Sequence, residues 1–426
     1  MNSQTQTKET IPKATSDWQK MLRFPKAVNI LILGTFINRF GTFVLPYMAL
    51  YLTHKGYSVA QAGIALAAWG LGNLLATIVG GHLADTFGRR NTVVLSMFGS
   101  VVLMILLSQA ETLETFVGLA FFAAMFSDIY RPAGHALVAD LVDEKDRVLV
   151  YAVIRWAINA GFAFGPTLAG LLTRISYTWI FWFDALTSLI FGLLALIYLP
   201  QFNKHSEVPL SHVLRAFSSL KKAFSTSFSD ARFVQVFIAT LLVAFAFLQT
   251  FSTLGIEVKS RGLVEMHFGF ILGINGILIV LFELPISMWA RRKAPRLMMA
   301  IGFALIGLGF GVFAFGGGLY PLCVGMAIMT TGEMIAMPVS LSYVSSMAPA
   351  DMRGRYMGVW GFAWAFSMVI ATSGGLKLYA VIADPFWLLI GVSGLLASVI
   401  IIINPLKIIA VWESSRVAKS YKWREL

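Results

Sequence analysis

Three ionisable side chains interrupt a long apolar stretch near position 130. The stretch FFAAMFSDIYRPAGHALVADLV, residues 121–142, reads as one apolar helix except for Asp128, Arg131 and His135 near its middle. Asp128 and Arg131 are three residues apart, which places them on one helix face. Such a pair either neutralises itself or forms a proton site, because protonation of the acid releases the arginine for another partner.

More charged groups lie inside other apolar stretches. Arg39 lies in TFINRFGTFVLPYMALYL, Arg155 in VIRWAINAG, Glu283 in LIVLFELPISM and Glu333 in MTTGEMIAMPVS. A charge at the centre of a bilayer costs about 3 kcal/mol on insertion scales, so it is kept where it is paired, faces a cavity or functions. Glu333 is the best candidate for a titrating group, because no basic residue lies near it on its own helix. A protonated acid that donates a structural hydrogen bond is the alternative.

From these residues we predict a set of proton carriers and a charge network. The predicted proton carriers are Glu333, Asp128 and Glu283, and the network that pairs with them or binds substrate contains Arg39, Arg131, Arg155 and Asn38. Asp184, beside the aromatic cluster YTWIFWF, is instead expected at a solvated position at the membrane boundary.

The composition places these groups in a membrane. Of 426 residues, 58% are hydrophobic and 13% charged, with a mean hydropathy of +0.76, outside the usual range of soluble domains. A bilayer core about 30 Å thick requires roughly 20 apolar residues per helix. Twelve such runs cover residues 28–53, 58–83, 92–109, 113–141, 148–174, 178–200, 234–256, 266–290, 297–318, 320–346, 355–378 and 385–405. We therefore predict an all-α polytopic membrane protein with twelve transmembrane helices.

The basic residues are distributed asymmetrically around these runs. If the N-terminus is cytoplasmic, 25 of the 33 Lys and Arg residues lie in the tails and cytoplasmic loops, as the positive-inside rule requires. The net charge of +12 then reflects contact with anionic lipid headgroups, and a nucleic-acid partner is rejected. We predict that both termini are cytoplasmic and that the membrane is a bacterial inner membrane.

The two halves of the chain resemble each other. Sliding the sequence by 206 positions superimposes Pro132 on Pro338 and brings Asp128 within one position of Glu333. Repeated halves with ionisable groups at matching depths are typical of carriers that work by alternating access. We divide the chain into an N-terminal tail (1–27), a first six-helix bundle (28–200), a linker (201–233), a second bundle (234–405) and a C-terminal tail (406–426).

The loop after the second run carries a known pattern. GGHLADTFGRRNTVVL, residues 80–95, resembles the G-x-L-A-D-x-x-G-R-R signature of the major facilitator superfamily, with Gly81, Asp85, Gly88, Arg89 and Arg90 matching. In that family such loops act as a cytoplasmic latch that favours the outward-open state. The resemblance therefore implies a cytoplasmic gate at this loop, where the paired arginines also anchor the topology.

The fifth run carries a second pattern. NAGFAFGPTLAGLL, residues 159–172, is similar to the G-x-x-x-G-P-x-x-G-G pattern of antiporters of that superfamily, with Gly161, Gly165, Pro166 and Gly170 matching and Ala169 departing. Small residues four apart let helices pack closely, and proline bends a helix. The resemblance implies export rather than uptake, and ordinary helix packing is the alternative.

Aromatic side chains on these runs suggest what is carried. Tyr130, Trp156, Trp360 and Trp364 lie on helices that would line a central cavity. Aromatic walls accept varied amphipathic or cationic ligands through adaptable contacts. We therefore expect small amphipathic or drug-like substrates.

The sequence lacks the common signatures of enzymes. It contains no G-x-x-x-x-G-K-[ST], H-E-x-x-H or G-x-S-x-G pattern, and we expect neither an enzyme nor a bound cofactor or metal. The chain resembles the drug:proton antiporter branch of the superfamily, which implies a monomeric exporter of small molecules driven by protons, with sodium not excluded. The alternatives are proton-coupled uptake of a peptide or sugar, lipid translocation, and a receptor or scaffold that does not transport.

Overall fold

The computed structural model describes residues 24–201, 224–348, 353–383 and 385–403. Two of the helices, α1 and α7, are each interrupted once and keep one number. The described helices are α1 (Lys26–Gly41 and Val44–His54), α2 (Val59–Thr86), α3 (Arg89–Ser108), α4 (Leu113–Leu141), α5 (Glu144–Leu172), α6 (Thr178–Tyr198), α7 (Ala231–Ser252 and Leu254–Ser260), α8 (Glu265–Ala290), α9 (Pro295–Val312), α10 (Tyr320–Met347), α11 (Arg353–Ile382) and α12 (Phe386–Ile402). Ten are long and apolar enough to cross a membrane; α5 has 29 residues and α12 is an apolar helix of 17. The predicted all-α fold is confirmed. Residues 1–23 of the N-terminal tail, most of the linker and the C-terminal tail lie outside the described residues, and the domain boundaries stay predictions.

The first helix is interrupted, although the sequence predicts one helix over residues 28–53. The first segment of α1 ends at Gly41 and the second begins at Val44. Pro46 explains the break, because its nitrogen cannot donate to the carbonyl of Thr42 and proline is tolerated in the first turn of a new helix. The second segment therefore begins with backbone amides that are free to meet another acceptor.

The helices pack into two bundles with the same internal arrangement. In the first, α4 packs against α2 and α3, while α1 packs against α5 and α6. In the second, α10 packs against α8 and α9, while α7 packs against α11 and α12. The bundles meet through two equivalent pairs, α5 with α8 and α2 with α11. This pattern is that of a duplicated six-helix unit, as the internal repeat predicts.

The described contacts of the α2 glycines with α11 are close near the N-terminal end of α2 and absent at Gly81, near its other end. Gly63, Gly70 and Gly81 share one face of α2, because they are 7 and 11 residues apart. A Cβ atom on Gly63 would lie 3.1 Å from Ser373 of α11, and one on Gly70 would lie 3.1 Å from Met368 of α11. A Cβ atom on Gly81 would meet no described atom within 4 Å. We call the end near Gly63 the closed end and the end near Gly81 the open end.

Candidate functional site

A buried ion-pair cluster lies inside the first bundle. Arg39 of α1 donates from Nη2 to Asp128 Oδ1 of α4 at 3.0 Å, and Arg131 Nε lies 2.8 Å from the same oxygen. Tyr130 accepts another bond from Arg39 at 3.0 Å, and Asn73 of α2, with its amide nitrogen turned to the acceptor, donates to Asp128 Oδ2 at 3.2 Å. The side chains of Arg39 and Asp128 are 11% and 13% exposed. The pair expected between Asp128 and Arg131 is formed, and Arg39 completes it.

Two residues predicted for the network are buried deeply. Tyr130 is 3% exposed and packs edge to face on Phe191. Its ring therefore lies in the bundle core, and its hydroxyl reaches Arg39 of the charge network. Asn38 donates to Ser188 of α6 at 3.1 Å. Asn38 also lines the small polar cavity that contains Arg39, so it belongs to the charge cluster.

Asp184 of α6 is buried, which corrects the expectation of a solvated boundary position. It is 3% exposed, and its carboxyl group lies near the backbone amides of Phe43 and Val44 at the break in α1. The aromatic cluster is a misleading signal of the membrane boundary. Since α6 begins at Thr178, six residues already place Asp184 about 9 Å from the helix end.

An ion pair joins the two bundles through α5 and α8. Arg155 Nη2 contacts Glu283 Oε1, and Asn159 donates to Glu283 Oε2 at 3.2 Å. The side chain of Glu283 is 16% exposed and that of Arg155 is 45% exposed. Both oxygens of this acid are therefore bound by the first bundle, and separation of α5 from α8 at this level must break both contacts.

Glu333 of α10 lies beside this pair. It accepts a hydrogen bond from Asn275 of α8 at 2.8 Å, and Asn275 also donates to Thr330 at 3.0 Å. The Glu333 carboxyl group is close enough to Glu283 and Arg155 to interact with both electrostatically. Two acids and one arginine thus share the junction of α5, α8 and α10, which is the arrangement that proton-dependent exchange of partners requires.

The predicted tryptophans have different environments. Trp360 of α11 donates to Thr240 of α7 at 3.0 Å, and Trp364 packs edge to face on Phe247 of α7. Trp156 of α5 is 51% exposed. Trp360 and Trp364 therefore stabilise the α7–α11 contact, while Trp156 has an accessible ring.

The loop between α2 and α3 binds helices of the first bundle. Arg89 Nε lies 2.9 Å from Asp140 of α4, and its guanidinium lies 3.8 Å from Asp85. Arg90 donates to the C-terminal end of α6. Gly88 has a φ of 90°, a backbone conformation that favours glycine. The pattern thus builds a rigid corner at the open end, and its role as a gate stays a prediction.

Two glycines of the α5 pattern lie where α5 touches the backbone of α1. A Cβ atom on Gly161 would lie 2.8 Å from the carbonyl oxygen of Phe36, and one on Gly165 would lie 2.6 Å from that of Phe40. Real Cβ atoms do not approach this closely. The small residues therefore set the spacing between α5 and α1, as expected for small residues four apart.

The same pattern meets the second bundle at the closed end. A Cβ atom on Gly170 would lie 2.7 Å from the Cα of Met266 in α8. The carbonyl of Pro166 accepts a hydrogen bond from the hydroxyl of Tyr47 in α1 at 2.7 Å. The pattern thus forms part of the contact between the bundles.

The sequence profile of the Major Facilitator Superfamily matches residues 31–372. The chain belongs to the Major Facilitator Superfamily. The predicted family is therefore confirmed, and the protein is a membrane transporter rather than an enzyme.

Several superfamily members are similar to most of the chain. The uncharacterized MFS-type transporter YqjV of Bacillus subtilis is 27% identical over 81% of this chain and 85% of its own length. The Na(+), Li(+), K(+)/H(+) antiporter of Planococcus maritimus is 26% identical over 83% and 88%, and the quinolone resistance protein NorA of Staphylococcus aureus is 21% identical over 54% and 57%. A crystal structure of a POT family transporter with 5-aminolevulinic acid has a TM-score of 0.76 and 17% identity over 90% of this chain and 97% of its own, which shows the same fold.

The closed end of this superfamily member holds a polar network that the sequence did not predict. Tyr177 donates to Glu265 Oε1 of α8 at 2.6 Å, and Lys259 of α7 pairs with the same oxygen at 3.0 Å. His54 packs on Tyr177 with ring centroids 4.7 Å apart. Burial and the Glu265 carboxylate raise the pKa of Tyr177, so its hydroxyl stays a donor. These residues lie at the ends of apolar runs, where polar groups are ordinary, so no sequence signal marks them.

Replacing Gly161 with alanine is expected to destabilise the protein by about 1–3 kcal/mol, the usual cost of an added methyl group in a close-packed site. The methyl group would meet backbone atoms of Phe36, Arg39 and Phe40, which cannot move aside as a flexible side chain would. The measurement is the apparent melting temperature in detergent. Gly118→Ala in α4 is the matched control, because its Cβ atom would meet no described atom within 4 Å. Equal melting temperatures for the two variants would contradict the packing role.

Proposed function

We propose that this protein is a secondary transporter that exports small amphipathic or drug-like compounds in exchange for protons by alternating access. The observation that carries the proposal is the contact of Arg155 and Asn159 of the first bundle with Glu283 of the second. A carboxylate that holds two bundles together through a guanidinium loses most of that attraction when it is protonated. Proton binding at this acid therefore changes how strongly the bundles adhere.

Glu333 supplies a second acid at the same place. Its contact with Asn275 and its nearness to Glu283 mean that a charge on one acid opposes a charge on the other. One proton shared by the two acids relieves this repulsion while leaving one carboxylate to hold Arg155. We therefore assign proton coupling to Glu333 and Glu283 together.

Asp128 makes its contacts within the first bundle and not between the bundles. It accepts from Arg39, Arg131 and Asn73. We propose that Asp128 positions the two arginines. The half-exposed Arg131 then remains available to a polar group of a bound substrate.

The direction of transport rests on the α5 pattern and on the relatives. Gly161, Gly165, Pro166 and Gly170 follow the antiporter pattern, and two similar proteins are an antiporter and a drug resistance protein by name. Accessible aromatic surface at Trp156 suits an amphipathic cargo. Alkali cations are a less suitable cargo for the first-bundle cavity, because it is lined by two guanidinium groups.

The distribution of basic residues assigns a side to each end of the molecule. The open end carries Arg89 and Arg90, and the positive-inside rule supports our proposal that it faces the cytoplasm. We propose that the membrane is a bacterial inner membrane. The conformation is then inward-facing, with the closed end towards the outside. In the outward-facing state the loop around Gly81 and Asp85 would meet α11, as a cytoplasmic latch does.

A transport assay with purified protein in liposomes tests the function. An imposed pH gradient is applied while a panel of dyes, quinolones, peptides, sugars and sodium is followed. We expect Glu333→Gln to lower gradient-driven export at least about tenfold, in line with a lost coupling free energy of 1–3 kcal/mol. Exchange of substrate at equal pH on both sides should survive, because the glutamine still accepts from Asn275.

The outcomes separate the candidate functions. Glu114→Gln at the exposed start of α4 is the control and should match the unmodified protein. Accumulation of a peptide or sugar in the direction of the proton gradient would establish uptake and reject export. Binding without movement of any compound would indicate a receptor or scaffold, and movement of labelled lipid alone would indicate a translocator.

A further inference from the structure

We propose that Asp184 is an additional proton-binding residue, set inside the first bundle, that links protonation to the break in α1. The inference extends the proposed proton-coupled transport by adding a site that lies apart from Glu283 and Glu333. It concerns a residue whose neighbouring aromatic cluster had pointed to the membrane boundary.

The carboxyl group of Asp184 is only partly satisfied. The backbone amides of Phe43 and Val44, at the start of the second segment of α1, lie near it and interact with it electrostatically. Its Oδ2 atom is buried and has no hydrogen-bond partner among the described residues. A buried carboxylate with an unsatisfied oxygen is costly, and protonation removes that cost by neutralising the group.

A second unsatisfied group lies in the same cavity. Arg39 Nε is also buried without a partner in the described part of the chain, although the Nη2 atom of Arg39 binds Asp128. Arg39 and Asp184 both line the cavity and interact electrostatically. An ionised Asp184 and the free Nε–H of Arg39 are therefore an acceptor and a donor that this conformation keeps apart.

The charged groups around Asp184 favour a proton over a metal ion. α1 presents Arg39, and α4 presents Asp128 and Arg131. α2 and α3 contribute Trp69 and Met104 as well as Asn73, none of which is charged, and α5 contributes no residue to the described lining. Two guanidinium groups oppose a metal cation in this space, whereas a proton binds directly to the carboxyl oxygen.

The break in α1 lies beside Asp184, so a proton on Asp184 affects the position of this break. With Asp184 protonated, Arg39 stays bound to Asp128 and to the hydroxyl of Tyr130, and the amides of Phe43 and Val44 face a neutral group. Loss of the proton creates an anion that attracts both these amides and Arg39 Nε, and so draws the break towards α6. Because α1 also packs against α5, this movement reaches α5, whose Arg155 and Asn159 bind Glu283 of α8.

Infrared difference spectra taken as pH is varied test the proposal on the purified full-length protein. The carbonyl stretching band of a buried protonated carboxyl group should disappear as pH rises in the unmodified protein. Asp184→Asn should lack this titrating band and release about one proton fewer per molecule. Its amide oxygen can still accept from Phe43 and Val44, so the fold should persist.

Companion variants keep the result decisive. Asp184→Glu should shift the band in frequency without removing it, and this variant retains the carboxyl group if the asparagine variant does not fold. Glu333→Gln should leave the Asp184 band in place. Titrating bands that are identical in Asp184→Asn and the unmodified protein would overturn the proposal. The spectra require no transport, so they remain informative even if proton-coupled export is rejected by the liposome assay.

Discussion

Asp128→Asn is expected to be strongly destabilising, lowering the free energy of unfolding by about 3–5 kcal/mol, the usual cost of removing one partner from a buried ion pair. The substitution leaves Arg39 and Arg131 without an anion, and the Arg39 side chain is only 11% exposed. The chain has a single cysteine, Cys323, which is partly buried. A thiol-reactive fluorophore that labels Cys323 as the protein unfolds on heating measures the effect.

Two further variants identify the cause of that loss. Arg131→Met should cost less, because the Arg131 side chain is 49% exposed and the Arg39–Asp128 pair survives its removal. Adding Arg39→Met to Asp128→Asn removes both charges of the buried pair and should recover part of the stability. Equal losses in all three variants would show that the ion pair is not the cause. Unchanged stability with lost proton coupling would restore Asp128 as a proton carrier.

Much of the fold follows from the sequence, because the bilayer imposes a simple constraint. Each span needs about 20 apolar residues, so twelve runs predict twelve helices, and the structure and the superfamily profile confirm this fold. Helix ends differ by a few residues; the run 148–174 corresponds to Glu144–Leu172, for example. The break in α1 is the main feature that the sequence analysis does not predict, although Pro46 indicates it.

Partners inside the membrane are harder to predict than spans. The Asp128–Arg131 pair is local and follows from helical spacing. The pairing of Arg39 with Asp128 and of Arg155 with Glu283 depends on which helix faces which, over separations of 89 and 128 residues in the chain. One sequence carries no information about that choice. Arg155 of the first bundle pairs with an acid of the second bundle, whereas Arg39 binds an acid of its own bundle.

The depth of a residue in the membrane is also hard to predict from the sequence. Asp184 and Trp182 lie close together in the sequence, yet Trp182 is 46% exposed and Asp184 is 3% exposed. Two residues along a helix differ by about 200° in direction, so an aromatic at the boundary says little about an acid beside it. The face of α6 that meets α1 is decided by packing, which the aromatic cluster does not reveal.

Glu283→Gln is expected to uncouple transport from the proton gradient and to weaken the adhesion between the two bundles. The glutamine can still accept from Asn159, but it carries no charge for Arg155 and so imitates a permanently protonated acid. Gradient-driven export should fall at least about tenfold, as for a coupling free energy of 1–3 kcal/mol, while exchange at equal pH persists. Spin labels at Glu111 and Gly317, which are exposed loop positions at the closed end of each bundle, should show longer distances in a Cys323→Ser background.

A charge reversal separates adhesion from proton coupling. Arg155→Glu combined with Glu283→Arg keeps an ion pair between α5 and α8, so the label distances should return towards those of the unmodified protein. Gradient-driven export should stay low, because the acid now lies on α5, where Asn275 and Glu333 no longer surround it in the same way. If both the label distances and gradient-driven export recover, the ion pair only holds the bundles together and has no role in proton coupling. If Glu283→Gln changes neither the label distances nor export, the proposed mechanism loses its main support. The contact between Arg155 and Glu283 would then contribute neither to the adhesion of the bundles nor to proton coupling.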